Sequence, residues 1–133
     1  MSKENRTDFK DEATQAVEME AEAKAQPDVS TYTHRFKKPF THENHVVEEL
    51  HFDFDLLTGR DYTAIEDEMN RAGKTLVVPE YSSSFLEGAL MRACTDRDKK
   101  GIRIVSAAFM GALPIREYKA LIGKARAFFL RQA

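Results

Sequence analysis

The chain has a single cysteine and no sequence feature typical of a secreted or membrane-inserted protein. Cys94 has no second cysteine to pair with, which excludes an intramolecular disulfide and suits a reducing cytosol. We interpret Cys94 as a small buried hydrophobe on a helix, because no histidine lies near it in sequence. No apolar run approaches the ~20 residues of a membrane span. The opening MSKENRTDFKDE lacks the apolar core of a secretory signal, so none is expected.

The sequence also lacks the motifs that carry most enzyme chemistry. It has no glycine-rich phosphate loop, and the serines at 82–84 lack the Gly-x-Ser-x-Gly context of a nucleophile elbow. Its paired carboxylates alternate with apolar positions or lie opposite an apolar stripe. Such placement is typical of solvated faces and not of an acid–base pair in a cleft. We therefore expect no catalytic residues, no cofactor and no enzyme activity.

Four histidines raise the question of a metal site. His42 and His45 flank a short turn, and His51, Asp53 and Asp55 alternate along the segment that follows. Imidazole and carboxylate together suit a mixed nitrogen and oxygen site. The other interpretation is a polar turn followed by the solvent face of a strand. The chain has no His-Glu-x-x-His helix and no cysteine pair, so we expect no bound metal.

The net charge of −2 conceals a strong gradient along the chain. Residues 1–30 carry a net charge of −4, residues 31–91 carry −5, and residues 92–133 carry +7. Such asymmetry indicates contact with nucleic acid, a charged partner surface, or self-association of an acidic half with a basic half.

Residues 1–31 are polar and acidic, with Phe9 and Val17 as nearly the only large apolar groups. The Ala- and Glu-rich part favours helix locally. It offers too little apolar surface to offset the entropy lost on ordering. We predict a disordered acidic tail over 1–31, and the alternative is an arm that folds on a partner.

Period-two alternation predicts a β-hairpin with strands at about 32–41 and 46–56. The turn lies at 42–45, where Asn44 can adopt positive φ. Pro39 lacks an N–H, so the first strand should be an edge strand or should break there. The predicted apolar face contains Tyr32, His34, Phe36, Phe40, Val46, Leu50, Phe52, Phe54 and Leu56.

Apolar residues at helical spacing then predict three to four helices. Thr58 and Asp61 have the spacing of an N-terminal capping pair, and Gly73, Pro79 and Pro114 mark helix ends and starts. The predicted helices cover about 59–72, 80–94, 103–112 and 115–131. The chain is thus predicted to be an α+β, mainly helical protein with one domain over 32–133.

A bundle this thin cannot hide all of its aromatic side chains. We predict that the excess forms an exposed apolar surface, which implies a homo-oligomer or a groove for a partner helix. The predicted partner-binding residues are Phe109, Met110, Phe128, Phe129 and Leu130.

The basic final helix favours a second function, a small DNA-binding or regulatory protein. Its basic residues do not form one dense stripe, so nucleic acid is the less favoured partner. They are Arg116, Lys119, Lys124, Arg126 and Arg131.

Several segments in order resemble the small tail assembly chaperones of tailed bacteriophages. The resemblance covers about 33–130, and it departs from the family pattern in having Asn44 where a glycine is usual in the hairpin turn. The segments that carry it are Phe36-Lys-Lys-Pro-Phe-Thr41, Val47-Glu-Glu-Leu-His-Phe-Asp-Phe54, Leu57-Thr-Gly-Arg-Asp61, Val78-Pro-Glu80, Leu113-Pro114 and Phe128-Phe-Leu130.

The resemblance implies a role in virion morphogenesis without catalysis. Such chaperones bind the long helical tape measure protein and keep it soluble until tail tube subunits polymerise around it. They act in the cytoplasm of the bacterial host and are absent from the mature virion. Many are made in a short form and a frameshifted longer form. The implied partners are the tape measure protein and the tail tube subunits.

Overall fold

The computed structural model is an α+β fold in which a two-stranded antiparallel hairpin packs on a mainly helical body. It describes residues 12–25 and 30–132. The predicted fold class is confirmed. The elements in chain order are α1 (Glu12–Ala25), β1 (Thr31–His42), β2 (His45–Asp53), a 3-10 turn (Phe54–Leu56), α2 (Gly59–Arg71), a second 3-10 turn (Pro79–Tyr81), α3 (Ser83–Ala93), α4 (Ala107–Ala112) and α5 (Ile115–Arg131).

The hairpin reverses direction at Glu43 and Asn44. Both residues have positive φ, 48° and 66°, as the two central residues of a type I′ turn do. This turn matches the right-handed twist of the strands that flank it. Asn44 therefore adopts the conformation predicted from its sequence position.

The strand pairing is irregular around Pro39. Arg35 pairs with Glu49 and Phe40 pairs with Val47, so β1 has more residues than β2 in this interval. Proline cannot donate a hydrogen bond to the neighbouring strand, and an extra stretch on one strand accommodates it. In the described part of the chain β1 pairs only with β2 and runs unbroken from Thr31 to His42, so the predicted edge strand is confirmed and the alternative, a break at Pro39, does not occur.

This irregularity shifts which residues of β2 face the core. Val47 is buried, whereas Val46 is 64% exposed, so the predicted inward position of Val46 is wrong. The predicted second strand also ends too late. Asp53 accepts a hydrogen bond from the Asp55 backbone N–H and caps the 3-10 turn, which leaves Leu56 exposed.

Short polar side chains fix the starts of three helices. Thr58 and Asp61 form the predicted capping box, with the Thr58 N–H donating to the Asp61 carboxylate at 2.8 Å. These hydrogen bonds hold the pKa of Asp61 below its ordinary value. Ser82 and Ser106 cap α3 and α4 by accepting from backbone N–H groups three residues on.

The predicted helix over 103–112 is only partly correct. The helix begins at Ala107, with Ser106 as its N-cap. Arg97 and Arg103 form an isolated antiparallel bridge, and the Asp98 carboxylate accepts hydrogen bonds from the Lys100 and Ile102 N–H groups.

Helix α3 runs through the centre of the core. Five of its side chains and one glycine are buried, and the same core takes in β2, α2, α4 and α5. Burying such aromatic and aliphatic side chains is the main source of stability in a domain of this size. The fully buried large side chains include Phe52, Phe54, Phe85, Phe109, Leu50, Ile65, Leu86, Leu90, Met110 and Leu121.

The prediction of a disordered tail over 1–31 is wrong for Glu12–Ala25, which form α1 and pack on α5. The apolar groups of this segment alone are too few to offset the entropy lost on ordering. Here α5 provides an opposing surface, so helix formation in this Ala- and Glu-rich sequence is supported by packing. Residues 1–11 and 26–29 of the predicted tail lie outside the described part of the chain.

A buried polar pair joins the hairpin to α5. The Nε2 atom of His34 lies 2.9 Å from the Glu117 carboxylate, and both residues are buried. A carboxylate only accepts, so Nε2 donates to it, and Nδ1 of the same ring lies 2.9 Å from the Tyr32 hydroxyl. The second Glu117 oxygen accepts from the Lys37 N–H at 3.3 Å. Every polar atom of this inward histidine is thereby satisfied.

At Gly88, α3 lies close to the Ile65 side chain of α2. A Cβ added at Gly88 would lie 2.9 Å from Cγ2 of Ile65. We expect Gly88→Ala to destabilise the protein by about 1–3 kcal/mol, because overpacking outweighs the gain in helix propensity. Chemical denaturation would measure this change.

We expect Gly88→Ala to have the opposite effect on stability when the side chain of Ile65 is shortened. In an Ile65→Ala background, Gly88→Ala should raise the free energy of unfolding by up to about 1 kcal/mol, the intrinsic helix preference of alanine over glycine. The same loss in both backgrounds would show that Ile65 is not the cause.

His51 makes a surface ion pair whose strength depends on pH. Its Nδ1 lies 3.0 Å from Asp96, and this hydrogen bond is the main reason why the pKa of His51 is raised above its ordinary value. A raised pKa adds stability that is complete below about pH 6.5 and is lost as the pH rises through the folded-state pKa. Because the side chain is 45% exposed, solvent screening limits the effect to less than about 1 kcal/mol.

A proton NMR titration of the imidazole would test this pair. We expect the midpoint for His51 to lie above 6.5 and to fall in Asp96→Asn. Glu49→Gln is the matched control, since Glu49 makes a weaker contribution from the other side of the ring. A larger fall in the control than in Asp96→Asn would contradict the assignment.

Candidate partner-binding pocket

The five predicted partner-binding residues occupy two different environments. Phe109 and Met110 are buried in the main core, and Leu130 is buried on α5. The prediction that these three form exposed surface is wrong, because neighbouring elements cover both α4 and the end of α5. Phe128 and Phe129 remain half-buried, and both line a pocket.

This recess, the α2–α5 pocket, has a volume of about 400 Å³. It lies between the start of α2 and the end of α5. Its size falls within the range of pockets that hold small molecules or single anchoring side chains. It is lined by Leu57, Thr58, Gly59, Asp61, Tyr62, Ile65, Glu80, Phe128, Phe129 and Gln132.

Aromatic rings build the walls of the α2–α5 pocket and are held by the core behind them. Phe128 stacks on the buried Phe54 with ring centroids 5.1 Å apart. Phe129 meets Phe85 edge to face at 5.7 Å and Tyr62 at 6.2 Å. Such contacts fix the rings in place, so the pocket is preformed rather than assembled by a ligand.

The charged groups that line the pocket, Asp61 and Glu80, are acidic and already oriented. The Tyr62 hydroxyl donates to the Glu80 carboxylate at 2.8 Å. Burial, followed by this hydrogen bond to a carboxylate, raises the pKa of Tyr62, so the phenol stays protonated at neutral pH. Asp61 lies on the same rim within the capping box, with the Arg92 Nε atom 3.8 Å away. An apolar interior with a negative rim suits an apolar group flanked by a positive charge.

The remaining reactive side chains do not form a catalytic arrangement around this pocket. Burial raises the pKa of Cys94 to about 12, so little thiolate exists at neutral pH. In the part of the chain that the structure describes, no group of three or more histidine, cysteine or acidic residues is arranged to hold a metal ion. His51 pairs with Glu49 and Asp96 instead of joining the histidines of the turn.

The basic residues of α5 are divided between internal contacts and the surface. The Lys124 ammonium lies 5.2 Å from the centre of the Tyr32 ring. The Arg126 side chain donates to the Glu80 carbonyl at 3.2 Å. Arg116 and Lys119 are exposed on the first turns of α5. The basic residues thus do not form the continuous stripe that a helix uses to follow a nucleic-acid backbone.

Of the residues that line the α2–α5 pocket, the sequence predicted only Phe128 and Phe129. Gly59 and Tyr62 belong to the start of α2, Leu57 lies just before it, and Glu80 comes from the second 3-10 turn. The capping box predicted where α2 begins. The capping box contains no information on which part of α5 packs opposite the start of α2.

Comparison with protein-family models, with curated protein sequences and with solved structures gives no match. None of the helices in the described ranges has the length and apolar character needed to cross a membrane.

Proposed function

We propose that this protein is a phage tail assembly chaperone that binds the tape measure protein and keeps it soluble during tail morphogenesis, without catalysis. The observation that carries the proposal is the α2–α5 pocket, a preformed recess with aromatic walls. The order of sequence segments from Phe36 to Leu130 that resembles this family supports it. A long helical client has apolar stripes that need temporary cover, and a small aromatic recess accepts an anchor from such a stripe.

The chemistry of the pocket suggests the kind of client segment that it takes. The aromatic walls accept a leucine- or phenylalanine-sized anchor. Asp61 and Glu80 at the rim favour a lysine or arginine one helical turn away from that anchor. A single pocket of this size gives modest affinity, which suits a client that must later be released to the tail tube subunits.

We also propose that the chain acts as a homo-oligomer in the cytoplasm of the bacterial host and that it is absent from the mature virion. The acidic residues 31–91 and the basic residues 92–133 offer complementary surfaces for self-association. Light scattering over a range of concentrations tests this part, and a constant monomer mass would contradict it.

The test of the pocket is to fill it without disturbing the fold. A Cβ added at Gly59 meets nothing within 4 Å, and Gly59 does not have positive φ. Gly59→Phe should therefore occupy the mouth of the pocket at little cost in stability. We expect it to reduce the tape measure protein recovered with the chain at least tenfold, about 1.4 kcal/mol of binding free energy. Co-expression followed by affinity purification measures the recovery.

Gly111→Phe is the matched control. Gly111 is exposed on α4, outside the pocket, and a Cβ added there also meets nothing within 4 Å. The control should recover as much tape measure protein as the unchanged chain. Equal recovery with Gly59→Phe would remove the pocket from the mechanism. An insoluble tape measure protein in the presence of the unchanged chain would refute the proposed function itself.

A further inference from the structure

The first half of β1 directs part of its backbone away from the hairpin. In an antiparallel pair, residues that bond to the neighbouring strand alternate with residues whose N–H and C=O groups point away from it. The Phe54 N–H donates to the Ser30 carbonyl at 2.8 Å, and the pairing keeps its register from Thr31 to Arg35. The residues whose backbone groups point away from β2 are therefore Thr31, Thr33 and Arg35.

The outer edge of β2 is already paired, whereas that of β1 is not. The Thr95 N–H donates to the His51 carbonyl at 2.9 Å, and the His51 N–H donates to the Asp96 carboxylate at 2.7 Å. Nothing in the described part of the chain makes a comparable hydrogen bond to the outward backbone groups of residues 31–35. Their three side chains are exposed. We call this segment of β1 the open edge.

The second half of β1 is closed to further pairing. The Lys37 N–H donates to the Glu117 carboxylate at 3.3 Å, and Pro39 has no N–H to donate. Lysine, proline and irregular pairing are the features that protect an edge strand from other strands. All of them lie in the second half of β1, and the segment before Arg35 has none of them. The open edge is thus suited to the addition of a strand.

The open edge is complementary to a second copy of itself. A two-fold axis through Thr33 places this residue opposite Thr33 of the second copy and Arg35 opposite Thr31. Three N–H groups from each copy then have an acceptor, which gives six hydrogen bonds across the interface. Arg35 faces an uncharged residue whose neighbour on β2 is Asp53. An axis through Arg35 would instead place two arginines opposite each other, which is unfavourable.

We propose that the open edge joins two copies of the chain, so that their hairpins form one four-stranded antiparallel sheet. The proposal rests on the self-association proposed above and identifies its surface. A sheet of four strands is more stable than an isolated hairpin. The helical client proposed above offers no extended strand, whereas a second copy offers one with matching register and charge. The interface is separate from the α2–α5 pocket, so the dimer and the bound client are compatible.

The first test removes the central hydrogen-bond donor from the full-length chain. Thr33→Pro deletes an N–H that points away from β2, a position at which an edge strand accepts proline. Thr33→Val keeps the N–H and is the matched control. We expect Thr33→Pro to raise the dimer dissociation constant at least about tenfold, because two of the six hydrogen bonds are lost. The control should change it by less than about threefold. Analytical ultracentrifugation measures both.

The second test depends on the two-fold axis. Because Thr33 faces the same residue of the second copy, Thr33→Lys and Thr33→Glu should each weaken dimerisation severalfold. An equal mixture of the two variants should dimerise more tightly than either variant alone, since opposite charges then meet at the axis. Thr41→Lys is the matched control for the added charge. Thr41 is exposed on the same strand beyond the open edge, and its variant should dimerise like the unchanged chain.

Two results would overturn the proposal. One is a Thr33→Pro chain with a native circular dichroism spectrum that dimerises as tightly as the unchanged chain. The other is a mixture of the two charge variants that dimerises no better than its components. Should Thr33→Pro unfold, the charge variants decide the matter. A constant monomer mass for the unchanged chain would refute this interface and self-association together. Client binding at the α2–α5 pocket would be unaffected, because Gly59→Phe tests it separately.

Discussion

Phe109→Ala is expected to lower the free energy of unfolding by about 3–5 kcal/mol. The Phe109 side chain is fully buried, and its ring meets the rings of Phe40 and His42 edge to face at 5.3 and 5.5 Å. Truncation removes these contacts and leaves a cavity between α4 and the hairpin turn. Small domains have a total stability of only about 5–15 kcal/mol, so the loss is a large part of the whole. Urea denaturation followed by circular dichroism measures it.

The control for Phe109 is an apolar residue of similar bulk on the surface. Ile102 is 60% exposed in the loop before α4, and Ile102→Ala should change stability by no more than about 0.5 kcal/mol. A Phe109→Ala protein that keeps its stability but loses client binding would reverse our interpretation. Such a result would mean that Phe109 is a surface residue that contacts the client.

Glu117→Ala is expected to be destabilising for a different reason, by about 1–3 kcal/mol for each buried donor that it leaves without an acceptor. The substitution leaves Nε2 of His34 and the Lys37 N–H without their acceptor inside the protein. Buried polar groups that lose a partner pay their full desolvation cost. Thermal unfolding at neutral pH would show the loss as a large fall in Tm.

An exposed ion pair on the same hairpin is the matched control. Arg35 and Glu49 lie 3.4 Å apart with largely exposed side chains. Glu49→Ala should cost less than about 1 kcal/mol, because water replaces the lost partner. A cost for Glu117→Ala as small as that for Glu49→Ala would mean that water reaches the His34–Glu117 pair.

Local signals in the sequence predicted most of the fold. The Thr58–Asp61 capping box, the Asn44 turn and the edge position of the strand that contains Pro39 depend on neighbouring residues, and all three are confirmed. The inward position of His34 followed from strand alternation on β1. The identity of its partner, Glu117, could not be predicted, because no short-range pattern relates residues that are 83 positions apart.

Three of the errors have a tertiary cause: the disordered α1, the exposed α4 and Leu130 surface, and the missed pocket. Helix α1 has too few apolar groups to form alone, and α5 supplies the opposing surface. Phe109, Met110 and Leu130 seemed too apolar for a thin bundle, yet neighbouring elements bury them. The α2–α5 pocket is formed by the start of one helix and the end of another. Patterns within one element predicted its existence and its faces, but not which elements lie opposite each other.

The pair between His34 and Glu117 also has a consequence for synthesis. The hairpin leaves the ribosome first, but its inward histidine has no acceptor until a residue 83 positions later emerges. At roughly 5–20 residues per second, that interval lasts several seconds. The hairpin therefore cannot take up its packed position on α5 during this time, and the domain closes only when its last helix is complete. Chains that end before α5 should accordingly be cleaved by proteases much faster than the full-length chain.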